Sequence, residues 1–230
     1  MTIDSANLIP IVVTARRDLL AVAQTHDPHL TPEGLDARRR REAKVIQARL
    51  LEAMPAEPTA PDRQPILDAL APKGADDIAL QAHQWSKVRA LLDAGRDLPS
   101  IIRDADRVRL AAILDALETM PEVLEDSRPA EVVEFIQGAV WDRLVQVDPA
   151  AERIAAIERT NAPAVAWRTI LEGLASTGEI PFEGRLLLNQ VDAEALNLLD
   201  EGDMEAVPAG APGNLVTSLV ESLDRATVDA

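Results

Sequence analysis

Residues 127–163 read SRPAEVVEFIQGAVWDRLVQVDPAAERIAAIERTNAP, and three times a proline follows a polar residue by one or two positions: Ser127-Arg128-Pro129, Asp148-Pro149 and Asn161-Ala162-Pro163. A Ser, Asp or Asn side chain can accept from the free N–H groups that open a helix. A proline in the first helical position gives up no bond, because that N–H has no partner in any case. The spacing predicts a helix from Pro129 to about Val147, another from Pro149 and a third from Pro163, joined by tight corners. Between the first two prolines Val132, Ile136, Val140, Leu144 and Val147 recur at helical spacing, with Val133, Phe135 and Trp141 widening the stripe. A helix apolar over most of its circumference is expected at the centre of its domain, here the C-terminal one.

The same punctuation recurs outward from this stretch. Thr31-Pro32-Glu33 opens a predicted helix running to about Met54. Ile78, Trp85, Val88 and Leu92 share one helical face, Leu110, Ile113, Leu114 and Leu117 another, and Trp167, Ile170, Leu171 and Leu174 a fourth stripe. Composition agrees: the chain is 47% hydrophobic but has two Phe, three Trp and no Tyr, whereas strands favour aromatic and β-branched residues. The expected fold is all-α, a multi-helix bundle with an N-terminal helical arm and at most one short strand or hairpin, near Leu186–Leu188.

Two segments break the helical pattern. Residues 55–64, PAEPTAPDRQ, form a Pro-rich linker expected to be extended and poorly packed. Residues 202–214 read as a flexible acidic loop before a last helix from about Asn214 to Ala226. Gly178–Gly184 reads as a turn-rich excursion. The predicted division is therefore an arm over 1–54, the linker over 55–64, a helical body over 65–201, and an acidic loop with C-terminal helix over 202–230. No internal repeat of fixed period is found.

Several function classes lose support at this stage. Without cysteine there is no disulfide, thiolate zinc site or cysteine nucleophile. No apolar run approaches the ~18–20 residues that span a bilayer. The start, MTIDSANLIPIVVTARRD, does not read as a signal peptide, which leaves cytoplasm or virion as the expected location. GxSxG, HExxH, phosphate-loop and GxGxxG patterns are absent. With three His and no Tyr or Cys, general acid–base chemistry would fall to carboxylates such as Glu131 and Glu134, which mean little unless two helices face each other. No enzyme and no cofactor are expected. His26-Asp27-Pro28-His29 holds possible metal ligands but reads as a connection between helices. Asp200–Glu205 (DEGDME) starts like a calcium loop and fails at its third and fifth positions, Gly202 and Met204, so a solvated acidic loop is expected. The three tryptophans are expected in the core, with an interface anchor as the alternative.

Charge supplies the candidate site. The net charge is −16, and it is polarised along the chain: residues 1–118 hold 16 Lys/Arg against 18 Asp/Glu, residues 119–230 hold 7 against 21. The most basic stretch is Arg38–Arg41 with Lys44 and Arg49. On a helix, Leu35, Ala43, Ile46, Leu50 and Met54 share one face. Arg40, Arg41 and Lys44 point away from it, while Arg38, Arg39 and Arg49 flank it and can lay their stems along it. The candidate partner-binding residues are Arg38, Arg40, Arg41, Lys44 and Arg49. They suit an acidic protein partner or other copies of the chain; a solvated amphipathic face is the plainer alternative. Nucleic acid fits less well, because the chain is acidic overall and no aromatic interleaves the arginines for base stacking. No membrane partner is expected.

The segment His29-Leu30-Thr31-Pro32-Glu33-Gly34-Leu35-Asp36-Ala37-Arg38-Arg39-Arg40 resembles a segment type of structural and assembly proteins of actinobacterial tailed phages, in which a TPEG-like cap opens an Arg/Ala-rich helix. The acidic, helix-rich chain is also similar to scaffolding, inner-capsid and connector proteins. The resemblance implies a non-enzymatic structural or assembly protein, most concretely a phage virion or capsid-assembly component, acting in multiple copies through protein–protein contacts; it assigns no role to any residue. The alternatives are a cellular helical adaptor or regulator of a high-GC bacterium and, more distantly, a carboxylate-based enzyme.

Overall fold

The computed structural model describes residues 3–206. Among them every regular element is a helix: α1 (Ser5–Gln24), α2 (Pro32–Glu52), α3 (Gln64–Asp68), α4 (Ala75–Asp93), α5 (Leu98–Arg103), α6 (Arg107–Ala116), α7 (Pro121–Leu124), α8 (Pro129–Val147), α9 (Pro149–Thr177), α10 (Phe182–Val191) and α11 (Ala193–Ala206), with a 3₁₀ turn at Leu117–Thr119. The fold is all-α. Residues 185–189, the one place where a short strand was considered, lie inside α10. The expected helix over Asn214–Ala226 lies outside the described residues.

Helix starts follow side-chain chemistry. Thr31 accepts from the Gly34 N–H at 3.2 Å and opens α2. Asp97 and Asp106 do the same for α5 and α6. The Asp148 carboxylate accepts from the Ala150 N–H at 2.8 Å at the start of α9. The expected corner at Asn161–Pro163 does not exist, and α9 runs unbroken with Pro163 inside it. The helix is buried on both sides of the proline, Ala151 in one core and Ala166, Ile170 and Leu174 in another, and that burial outweighs the lost bond. The Asn161 side chain donates to the Thr59 carbonyl instead of capping. α9 stops at Gly178, whose φ of 74° is easily reached only by a residue without Cβ.

The chain divides into two units: one made by the segments up to Thr59 and from Arg159 onward, the other by the continuous stretch Ala60–Glu158. This corrects the arm-and-body division. Residues 1–54 are no free arm, because Val12, Leu19, Ile46 and Leu50 share a core with Trp167, Ile170, Leu174, Leu188 and Leu199. The body expected over 65–201 is cut at Glu158. The linker over 55–64 is without helix up to α3, but it is tied down. Pro55 is buried, and its carbonyl accepts from Arg168 Nη1 at 2.8 Å.

The second unit packs Val88, Ile101, Leu110, Ile113, Met120, Val140 and Leu144 into its own core. α8 belongs here rather than at the centre of a C-terminal domain, and its buried face is narrower than expected, since Phe135 is 63% exposed. Ile78 likewise leaves its predicted stripe for the surface. Residues 202–206 form the last turn of α11 rather than the start of a loop.

Candidate functional site

The helix carrying the predicted basic cluster is anchored through its opposite face. Ala43, Ile46 and Leu50 are buried in the first unit's core, and Gln47 Nε2 donates to the Ala175 carbonyl at 2.7 Å. With that face held, the outer face is fixed outward. Arg40, Arg41, Lys44 and Arg49 are exposed. No salt bridge within 4.0 Å joins any of these four to a carboxylate among the described residues.

The structure separates the cluster into two groups. Arg38 is occupied: its Nη1 donates to Asp27 at 3.2 Å and its Nε to Glu42 at 3.0 Å. The hydrogen bond and charge of Glu42 raise the Arg38 pKa above its ordinary value. Arg39 is also used internally, with Nη2 donating to the Thr25 carbonyl at 2.6 Å. Asp27 serves in addition as a turn residue, accepting from the His29 N–H at 2.9 Å. His26-Asp27-Pro28-His29 is thus the corner between α1 and α2. Among the described residues no group of three or more His, Asp or Glu is arranged to hold a metal ion.

The acidic stretch proves to be structural in part. Asp200 and Asp203 lie on α11 and converge on Arg185 of α10: Arg185 Nη1 donates to Asp200, and Nη2 to Asp203 Oδ2 at 3.0 Å. Arg16 Nε of α1 stands 2.5 Å from Asp203 Oδ1, a charge contact without hydrogen-bond alignment. Asp203 is buried, so its charge needs these two guanidiniums. Three helices are pinned by this cluster. Glu194 and Glu201 of α11 are exposed. With Asn197, Leu198 and Met204, also exposed and at helical spacing, they form one acidic–apolar stripe, in which Met204 is 81% exposed.

The second unit offers a groove of about 580 Å³, lined by Arg63, Leu67, Asp68, Leu114, Glu134 and Trp141 among others. The Arg63 guanidinium carbon lies 4.6 Å from the centroid of the Trp141 ring. Glu158 holds that guanidinium through bonds of 2.5 and 2.8 Å. The volume falls in the ~300–1,000 Å³ range of small-molecule sites.

Sequence reasoning located the basic face and missed the α11 stripe and the groove. The α11 stripe had a signal: Asp200 and Asp203 are three apart, and Glu194, Leu198 and Glu201 follow at four and three, the spacings of a helical face. Reading Gly202 as a loop residue hid it. The groove had none, because Arg63 and Trp141 are distant in sequence. Searches against protein-family models, curated proteins and solved structures match nothing to this chain. Among the described residues no helix is long and apolar enough to cross a membrane.

Proposed function

We propose that this chain is a non-enzymatic structural or assembly protein that works through protein–protein contacts, in multiple copies, with the outer face of α2 as a docking surface for an acidic protein. The observation that carries the reading is the set Arg40, Arg41, Lys44 and Arg49, exposed and without a salt bridge among the described residues, on a helix held rigidly by its other side. On a chain of net charge −16, such a cationic helix face attracts an acidic surface, including that of another copy, where most of the chain would repel it. The most concrete form is a phage virion or capsid-assembly component, supported by the resemblance of the TPEG-capped, Arg-rich α2 segment. A cellular helical adaptor or regulator is the second reading, favoured by the groove beside Trp141, which has room for an effector.

The test is a light-scattering and association-rate series at several salt concentrations, comparing wild type with Arg40→Glu/Arg41→Glu/Lys44→Glu. The reversal is expected to slow association and remove most of its salt dependence. Fold stability should shift by no more than ~1 kcal/mol, as for exposed charges generally. Wild-type association rates across the salt series would show the face to be plain solvated surface.

A further inference from the structure

We infer that the acidic–apolar outer stripe of α11 is the seat for the basic–apolar outer face of α2 from a second copy of this chain, so that copies join head to tail. The inference rests on the docking reading above and names the partner surface.

The two faces are matched in three respects. In charge, α2 presents Arg40, Arg41 and Lys44, and α11 presents Glu194 and Glu201, all exposed. In apolar content, Val45 and Leu51 on α2 are 53% and 58% exposed, while Leu198 and Met204 on α11 are 50% and 81% exposed. Both pairs are interleaved with the charges instead of standing apart from them, the arrangement in which apolar contact is made only when the charges are in register. In length, Arg40–Leu51 spans about 17 Å of helix and Glu194–Met204 about 15 Å, at ~1.5 Å per residue. One face can therefore cover the other end to end.

A single copy does not close this contact on itself. α2 and α11 each pack extensively on α1, and the two share no comparable contact with each other. The buried sides of both, Ala43, Ile46 and Leu50 on α2 and Ala195 and Leu199 on α11, are committed to the core of their own unit. Within one chain, therefore, neither outer face covers the other. Joining unlike faces of identical chains closes at two copies only where both joints form between the same pair; otherwise the contact is heterologous and continues into a ring or an open filament. One helix on one helix is a small seat, below the area of a stable isolated interface. Each joint is consequently weak, steered by charge, and dependent on protein and salt concentration.

The experiment uses two full-length variants, Arg40→Gln/Arg41→Gln/Lys44→Gln and Glu194→Gln/Leu198→Ser/Glu201→Gln, each checked for wild-type helicity and thermal transition. Mass is followed by light scattering over a concentration series. Wild type should grow in mass with concentration and fall back towards 24.8 kDa at about 1 M salt, where the Debye length is ~3 Å. Each variant alone should remain a single chain. Mixed in equal amounts they should form a species of two chains and no larger, since each supplies one intact face. If the α2 variant stops growth and the α11 variant does not, the seat on α11 is wrong while docking through α2 stands. If wild type stays a single chain at every concentration, or the mixture does not pair while wild type grows, the head-to-tail joint is overturned; the first of these outcomes also removes self-assembly from the proposed function.

Discussion

The two units of this molecule hold the same formal charge and are built in opposite ways. The segments 1–59 and 159–230 carry 12 Lys/Arg against 20 Asp/Glu, and the stretch 60–158 carries 11 against 19, so each is −8. The steep charge polarity along the chain disappears once residues are grouped by unit. It arises mainly because the first unit is discontinuous: the basic α2 comes from one end of the chain and the acidic α11 from the other. What marks the first unit is polar contact across the break in its chain. Ser5 Oγ donates to Asp192 at 2.8 Å and accepts from Trp167 Nε1 at 3.1 Å, and Arg168 reaches the Pro55 carbonyl. The second unit is one uninterrupted run, and its own distant pairs, such as Arg63 with Glu158 and Arg107 with Asp148, stay inside that run. A charge profile read along a chain therefore says little about charge in space when a domain is interrupted by another.

The sharpest way to break this comparison is truncation. Removing residues 1–54 takes Val12, Leu19, Ile46 and Leu50 from around Trp167, which is 0% exposed in the full chain. The first unit is expected to lose its cooperative transition altogether, seen as a red shift of tryptophan emission and loss of near-UV dichroism, while residues 60–158 alone keep a thermal transition. If the truncated protein retains the buried Trp167 signal, the N-terminal segment is an arm after all and the interrupted-unit description is wrong.

Glycines separate the units next. In α10, a Cβ on Gly184 would stand 2.7 Å from Ile170 Cγ1 and 3.3 Å from the Ile170 backbone nitrogen, so α9 and α10 touch there only because the side chain is missing. Gly184→Ala should destabilise the first unit by about 1–3 kcal/mol through overpacking. In α8 of the second unit, Gly138 has nothing within 4 Å of its would-be Cβ. Gly138→Ala should stabilise by about 0.5–1 kcal/mol, since only helix propensity changes. Denaturant midpoints of the two variants should move in opposite directions. Equal shifts of one sign would mean that α9 and α10 do not approach as closely as described.

Helix identity was largely legible in the sequence, because caps such as Thr31 and stripes such as Ile170, Leu171 and Leu174 act locally. Three features were not. Pro163 looked like a helix start, and only burial on both sides of it shows that one helix passes through. Gly202 looked like a loop, but a Cβ there would meet Val13 Cγ2 at 2.7 Å, so it is a close-approach glycine whose reason lies in α1, far away in sequence. The domain division failed because a Pro-rich linker marks a change of unit without telling whether the chain later returns. For the candidate site, spacing indicates that Arg40, Arg41 and Lys44 point away from the apolar face, and they are exposed, whereas Arg38 is held by Asp27 and Glu42. Helical spacing shows which side chains point outward; it does not show which of them find a partner across a corner.

The smallest expected effect, acid sensitivity, sharpens the comparison from the second unit's side. Burial pushes the Asp148 carboxyl up, but the Ala150 N–H and the Arg107 guanidinium, each at 2.8 Å, outweigh it and leave the group below the ordinary carboxylate range. Asp97 is lowered by the Ser100 hydroxyl and N–H, and Asp104 by the bond from Arg96. All three belong to Ala60–Glu158. A carboxyl lowered on folding releases its proton more readily in the native state. Its contribution to stability is complete above the unfolded value of about 3.9 and is lost as pH falls through the folded value. Asp148→Asn keeps an oxygen to accept from the Ala150 N–H and removes only the charge. The variant's second unit should melt slightly below wild type at neutral pH, and the gap should close as pH is lowered from about 5 toward 3. A gap that stays constant with pH would assign the Asp148 contribution to capping geometry alone, with no part for the charge pair with Arg107.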